Sequence, residues 1–154
     1  MVKQKPKTKL GRNTIFVIIC IVVLGSVGGY YAINSMIPVN STTPVFGAPA
    51  NYYVKTLKSA NGHVFTLTST KGGKKSFTPT KPPIISVSRG ELISFHLINE
   101  DSQKHNLNLD EFNVHTKDLD YFESQSITFI ADKTGQFTFH CTLNPEMTGT
   151  FTVK

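Results

Sequence analysis

Beyond residue 37 the apolar residues of this chain alternate with polar ones and never recur at helical spacing. "QFTFHC" over 136–141 and "ELISFHLIN" over 91–99 are examples. Side chains of a strand point to opposite faces in turn, so such a run buries one face and wets the other. Further runs lie at 52–59, 62–70, 84–88, 105–109, 112–116, 125–132 and 148–154. Turn signals separate them at Asn61-Gly62, Arg89-Gly90 and Lys133-Thr134-Gly135. Many short strands at regular spacing predict an all-β sandwich or barrel. Roughly 100 residues suffice for one such core, and most of the chain's 11 Phe are available to fill it.

The first third is different. Ile15 to Ile33 reads "IFVIICIVVLGSVGGYYAI" without a charge. About 20 apolar residues at ~1.5 Å rise cross the ~30 Å hydrocarbon layer of a bilayer. Five basic residues (Lys3, Lys5, Lys7, Lys9, Arg12) and no acid precede it. Positive flanks stay cytoplasmic, so a single-pass anchor is expected, with the N-terminus inside and the remainder on the extracytoplasmic side of the cell membrane. A cleaved signal is disfavoured, since the only A-x-A triplet, Ala48-Pro49-Ala50, lies far downstream and contains Pro. Cys20 follows Ile18-Ile19 and lacks the small residue that a lipoprotein site requires just before it. The expected organisation is a basic cytoplasmic tail over 1–13, a transmembrane anchor over 14–37, a Pro/Ser/Thr-rich linker over 38–50 and one domain over 51–154.

The tail also explains the net charge of +6. Outside it, eleven basic residues face ten acids, leaving no basic patch for nucleic acid. Seven acids gather between 100 and 123 (Glu100, Asp101, Asp110, Glu111, Asp118, Asp120, Glu123), read as solvated loop surface or as a docking face for a basic redox partner.

Cys141 is the only cysteine outside the apolar run. No disulfide is then open to the domain, and a lone thiol outside the cell calls for burial or a metal. Alternation from Phe137 and Phe139 turns Cys141 inward, where it is either a small core hydrophobe or a ligand. Met147 lies six residues on, and His105 begins a strand-like run. Thiolate, imidazole and thioether form a soft, mixed donor set suited to copper, and a Cys/His₂ trigonal set with a long axial Met is the blue-copper arrangement.

Residues ~50–154 resemble the cupredoxins. "NEDSQKHNLNLDEFNVHT" over 99–116 looks like the segment carrying the first histidine ligand, His105, with Asn106 in the place of the residue that ties the ligand loops together. "GQFTFHCTLNPEMTGTFTV" over 135–153 looks like the closing ligand loop of amicyanin type. The resemblance implies a Greek-key β-sandwich and one copper ion at a type-1-like site held by His105, Cys141 and Met147. It also implies a histidine where this chain has Asn144. Amide oxygen is a harder and weaker donor than imidazole. Four outcomes stay open: Asn144 ligates through oxygen, water fills the position, Glu146 or His140 substitutes, or no copper binds.

His140 faces away from Cys141 by alternation. The adjacent His-Cys pair of two-copper enzymes in this family would need further histidines, and His96, His115 and His63 are read as structural or surface residues. A binuclear copper site needs a second loop cysteine and is excluded. The expected function is one-electron transfer, not enzymatic catalysis, with a redox protein or a membrane respiratory complex as partner. A copper-trafficking or storage module and a copper-free structural domain of a membrane assembly are the alternatives.

Overall fold

The computed structural model describes residues 11–60, 62–68 and 82–154. It divides into two units, the segment up to Met36 and Ile37–Lys154.

In the first unit a single helix, α1 (Arg12–Asn34), holds the apolar run, and none of its residues is buried. It is long and apolar enough to cross a membrane.

Among the described residues, the second unit holds nine strands. β1 (Ala50–Ser59), β2 (Gly62–Thr68), β4 (Leu92–Asn99) and β7 (Ser124–Ile130) form one sheet in the order β2-β1-β4-β7. β3 (Ile84–Val87), β9 (Thr148–Val153), β8 (Gly135–His140), β5 (Asn108–Leu109) and β6 (Val114–His115) form the other, in the order β3-β9-β8-β5-β6. The pairs β1–β4 and β3–β9 are parallel and the rest antiparallel. Neighbouring strands that are not consecutive mark the crossovers of a Greek-key sandwich.

The alternation seen in the sequence places the core. Along β9, Gly149, Phe151 and Val153 are buried while Thr148, Thr150 and Thr152 are half-buried. Phe95 sits at the centre, edge-on to Phe129, Phe151 and Phe139 at centroid distances of 5.1, 5.6 and 6.1 Å. Phe65, Phe112 and the aliphatic residues of both inner faces complete it.

Three expectations need adjustment. Of the run at 105–109, only residues 108 and 109 are strand, because His105 makes an isolated bridge to Leu119 instead. Ser59 pairs with Gly62, whose φ of 120° suits the reversal, while Asn61 of the predicted turn lies outside the described residues. So does nearly all of the basic stretch at 71–83. Finally, the segment read as a linker starts within the domain. Val39 donates to the Thr128 carbonyl at 2.9 Å, and the Asn40 side chain bonds both the N–H and the carbonyl of Ile130 at 2.8 and 2.7 Å. Residues 39 and 40 thereby satisfy backbone groups along β7, the edge of its sheet.

Candidate metal centre

Cys141 follows directly on β8, whose Phe139 is fully buried, and the inward face of that strand carries the thiol into the core. The chain turns through exposed Thr142 and Leu143 and returns at Met147. The Cys141 N–H donates to the Met147 carbonyl at 3.1 Å, and the Met147 N–H to the Asn144 carbonyl at 2.9 Å. Cys141 and Met147 are both fully buried, so the loop ends are clamped together inside the sandwich.

His105 arrives from the other side. Its backbone exchanges two hydrogen bonds with Leu119, at 3.2 and 2.8 Å, and its side chain is fully buried. Its Nδ1 lies 3.8 Å from Cys141 Sγ. Two donors at metal-bond lengths of about 2.0–2.3 Å and a ~120° angle stand roughly 3.7 Å apart. The pair therefore fits a shared soft ion, and the same separation admits an S–H···N contact in the metal-free chain.

Asn106 locks the two segments together. Its N–H points at Cys141 Sγ at 3.5 Å. Its side-chain oxygen accepts from the Thr142 N–H at 2.8 Å and from Asn108 Nδ2 at 2.9 Å. Its Nδ2 donates to Thr142 Oγ1 at 2.6 Å and to Asp118 Oδ1 at 2.7 Å. Behind it, Asn108 Oδ1 meets His115 Nδ1 at 2.9 Å. The amide thus holds both loops from the far side of the sulfur, as expected of a residue that fixes ligand positions.

Of the residues anticipated from sequence, the structure brings the side chains of His105 and Cys141 together and ties Met147 to Cys141 through the backbone. Asn144 is half-buried in the turn, where its carbonyl supports Met147. Glu146 is exposed, and His140 is half-buried, facing Thr148 and Asn108 in register on the opposite face of β8 from Phe139.

Two readings are corrected. His63, taken as a surface residue, is the second residue of β2, its side chain only 12% exposed and its Nδ1 2.5 Å from Asp101 Oδ2. Its ring centroid lies 5.1 Å from that of His105. Asp101, counted with the solvated acids, is buried. Burial raises a carboxyl, but here the hydrogen bonds from His63 and the Gln103 N–H and the nearness of His105 outweigh it and hold Asp101 at about 2. Asn99 shapes this loop. Its side chain accepts from the Asp101 N–H at 2.9 Å and donates to the carbonyls of Gln103 and Leu119 at 2.7 and 2.9 Å. No spacing signal marks this contact, because residue 63 meets residue 101 only once β1 aligns in parallel with β4.

His96 and His115 lie elsewhere. His96 bonds Ser126 Oγ and Asn51 Oδ1 at 2.6 and 2.8 Å and stacks on Tyr53. His115 is exposed.

No curated protein sequence matches the chain. Among solved structures, an amicyanin mutant in its reduced Cu(I) form at pH 4 is 18% identical, over 70% of this chain and 86% of that one, with a TM-score of 0.45. Copper nitrite reductase from Nitrosomonas europaea, at pH 8.5, is 19% identical over 70% of this chain, with a TM-score of 0.53. The aligned region is 42% of that enzyme's chain, and the likeness is one of fold. A model of the cupredoxin-like domain matches residues 45–153. With the two-sheet topology and most of the chain inside that match, the protein belongs to the cupredoxin-like family.

Proposed function

We propose that this protein is a membrane-anchored copper protein that carries single electrons on the extracytoplasmic side of the cell membrane. The observation that carries the reading is the buried approach of His105 Nδ1 to Cys141 Sγ, at 3.8 Å, beside buried Met147. His105, Cys141 and Met147 are the residues assigned to hold one copper ion, with Asn144 at the remaining position. Bound copper would supply the Cu(I)/Cu(II) couple at a type-1-like site.

The rest follows from the chain's own residues. Cys141 and His105 are both fully buried with their donor atoms 3.8 Å apart, an arrangement that leaves little structure for binding to order. Asn106 fixes both loops by side-chain hydrogen bonds, which limits donor movement when charge changes. Phe139, Phe65 and Phe95 exclude water from the inner side. A dry shell and a thioether donor favour the reduced state and raise the potential. The basic tail and apolar helix support an N-terminus in the cytoplasm and a domain outside, facing a redox protein or a respiratory complex. Among cupredoxin-like proteins this points to a carrier rather than an enzyme.

A second reading, copper trafficking or storage, draws on Asn144. A weak amide donor in a half-buried turn leaves a more open site, and an open site exchanges its ion more readily. Titration of the full chain in detergent with copper(II) separates the two. The carrier reading predicts an intense visible thiolate-to-copper band that disappears in Cys141→Ala and strengthens in Asn144→His. Tight copper(I) binding without that band favours trafficking, and no binding of either ion overturns both.

A further inference from the structure

The cluster of His63, Asp101 and His105 stands beside the assigned copper site and is not used by it, except through the shared ring of His105. Three observations mark it as a site in its own right. One ligand atom from each residue falls within 4.8 Å of the other two. Asp101 Oδ2 lies 3.3 Å from His105 Nε2, the edge expected of two donors around a tetrahedral ion at about 2.0–2.1 Å bond lengths. Among the described residues, buried His105 Nε2 has no hydrogen-bond partner, because the carboxylate near it sits off the N–H line. A buried orphan nitrogen is costly to leave unpaired, and it is aimed into the cluster.

We propose that His63 Nδ1, Asp101 Oδ2 and His105 Nε2 form a second cation site, for a borderline divalent ion such as zinc. Two imidazoles and a carboxylate are zinc-type donors, whereas the soft thiolate lies on the other side of the His105 ring. Three protein donors leave one position for water. His63 is the partly exposed member and provides the way in. Its Nδ1 stands 2.5 Å from Asp101 Oδ2, so an ion would replace the proton between them and move His63 outward by roughly 0.8 Å to reach the tetrahedral spacing. Bound through Nε2, His105 keeps its one ring proton on Nδ1, facing Cys141. An ion at each ring nitrogen requires that proton to leave, so that the ring bridges as imidazolate and the occupancy of the two sites is coupled. The second site does not depend on the copper reading.

The test uses the full chain in detergent, stripped of metal, with zinc(II) titrated against a chromophoric chelator. The wild type and Cys141→Ala are each expected to take up one zinc ion through the cluster, with affinities within about threefold. His63→Gln and Asp101→Asn, placed in the Cys141→Ala chain, are each expected to weaken that binding by at least tenfold. Zinc uptake lost in Cys141→Ala, or unchanged in His63→Gln and Asp101→Asn, overturns the proposal. If a variant fails to fold, ¹⁵N histidine spectra of Cys141→Ala decide the matter. Zinc must shift His63 Nδ1 and His105 Nε2, and spectra that zinc leaves unmoved at both nitrogens refute the site.

Discussion

Asn106 shows how one side chain can hold a site that it does not enter. Its amide makes four hydrogen bonds joining the His105 segment to the Cys141 turn and to Asp118. Asn106→Ala leaves the Thr142 N–H and Asp118 without these partners, and we expect a loss of about 2–3 kcal/mol. Urea unfolding of the metal-free chain measures it, and an unchanged midpoint would show that the lock is not needed. The role of Asn106 was legible only through the family resemblance, which puts the residue that ties the ligand loops together directly after His105. The burial of Cys141 was legible too, since alternation from Phe137 and Phe139 fixes the face. His63 and Asp101 were not legible. Each is an ordinary polar residue beside a turn, and their contact depends on a parallel pairing that no local pattern encodes. Whether Asn144 ligates was equally beyond the sequence, because the outcome rests on side-chain reach across a turn.

At the level of elements, the closest packing joins β8 to β9. Phe139 faces Gly149 in register, and a Cβ on residue 149 would stand 2.0 Å from the Phe139 ring. The ring is fully buried and cannot swing away. Gly149→Ala should cost about 2–3 kcal/mol, and Phe139→Leu in the same chain should recover part of it. A cost below about 0.5 kcal/mol in thermal or urea unfolding would contradict this packing. The outer face of the first sheet, where His96 lies on β4, supplies a pH test. Burial holds the His96 imidazole below its ordinary value of 6.5. The folded state therefore favours the neutral ring, and the unfolded state takes up the proton first as pH falls. The stability contribution is present above ~6.5 and is lost as pH drops through the region below it. Between pH ~7 and ~5.5 the thermal midpoint of the wild type should fall more than that of His96→Gln, and parallel curves would exclude His96 as the cause. The strands themselves were readable from alternation and turn residues. The short ones around His105 were less so, because β5 and β6 are two residues each and the segment between them forms a 3₁₀ turn, Asp110–Phe112.

For the whole molecule, two parts with opposite solvent preferences share one chain. The helix exposes every apolar side chain it has, whereas the sandwich buries Phe65, Phe95, Phe112, Phe129, Phe139 and Phe151. On the proposed membrane-anchored reading, lipid around one part and water around the other reconcile the two. In a bacterial host, a reporter that folds only in an oxidising compartment should be active when fused after Lys154, and should lose activity when the five tail cations are replaced by glutamate. An inactive fusion in the wild-type chain would reverse the proposed orientation. The single domain thiol fits the same setting, since Cys141 is buried and has no disulfide partner within its domain. The account as a whole depends on His105 and Cys141 sharing one copper ion. X-ray absorption at the copper edge of the loaded full-length protein tests this most directly. The account predicts a short copper–sulfur distance with imidazole scattering, the sulfur term vanishing in Cys141→Ala and the imidazole term in His105→Ala. A copper shell of nitrogen and oxygen alone in the wild type would contradict it.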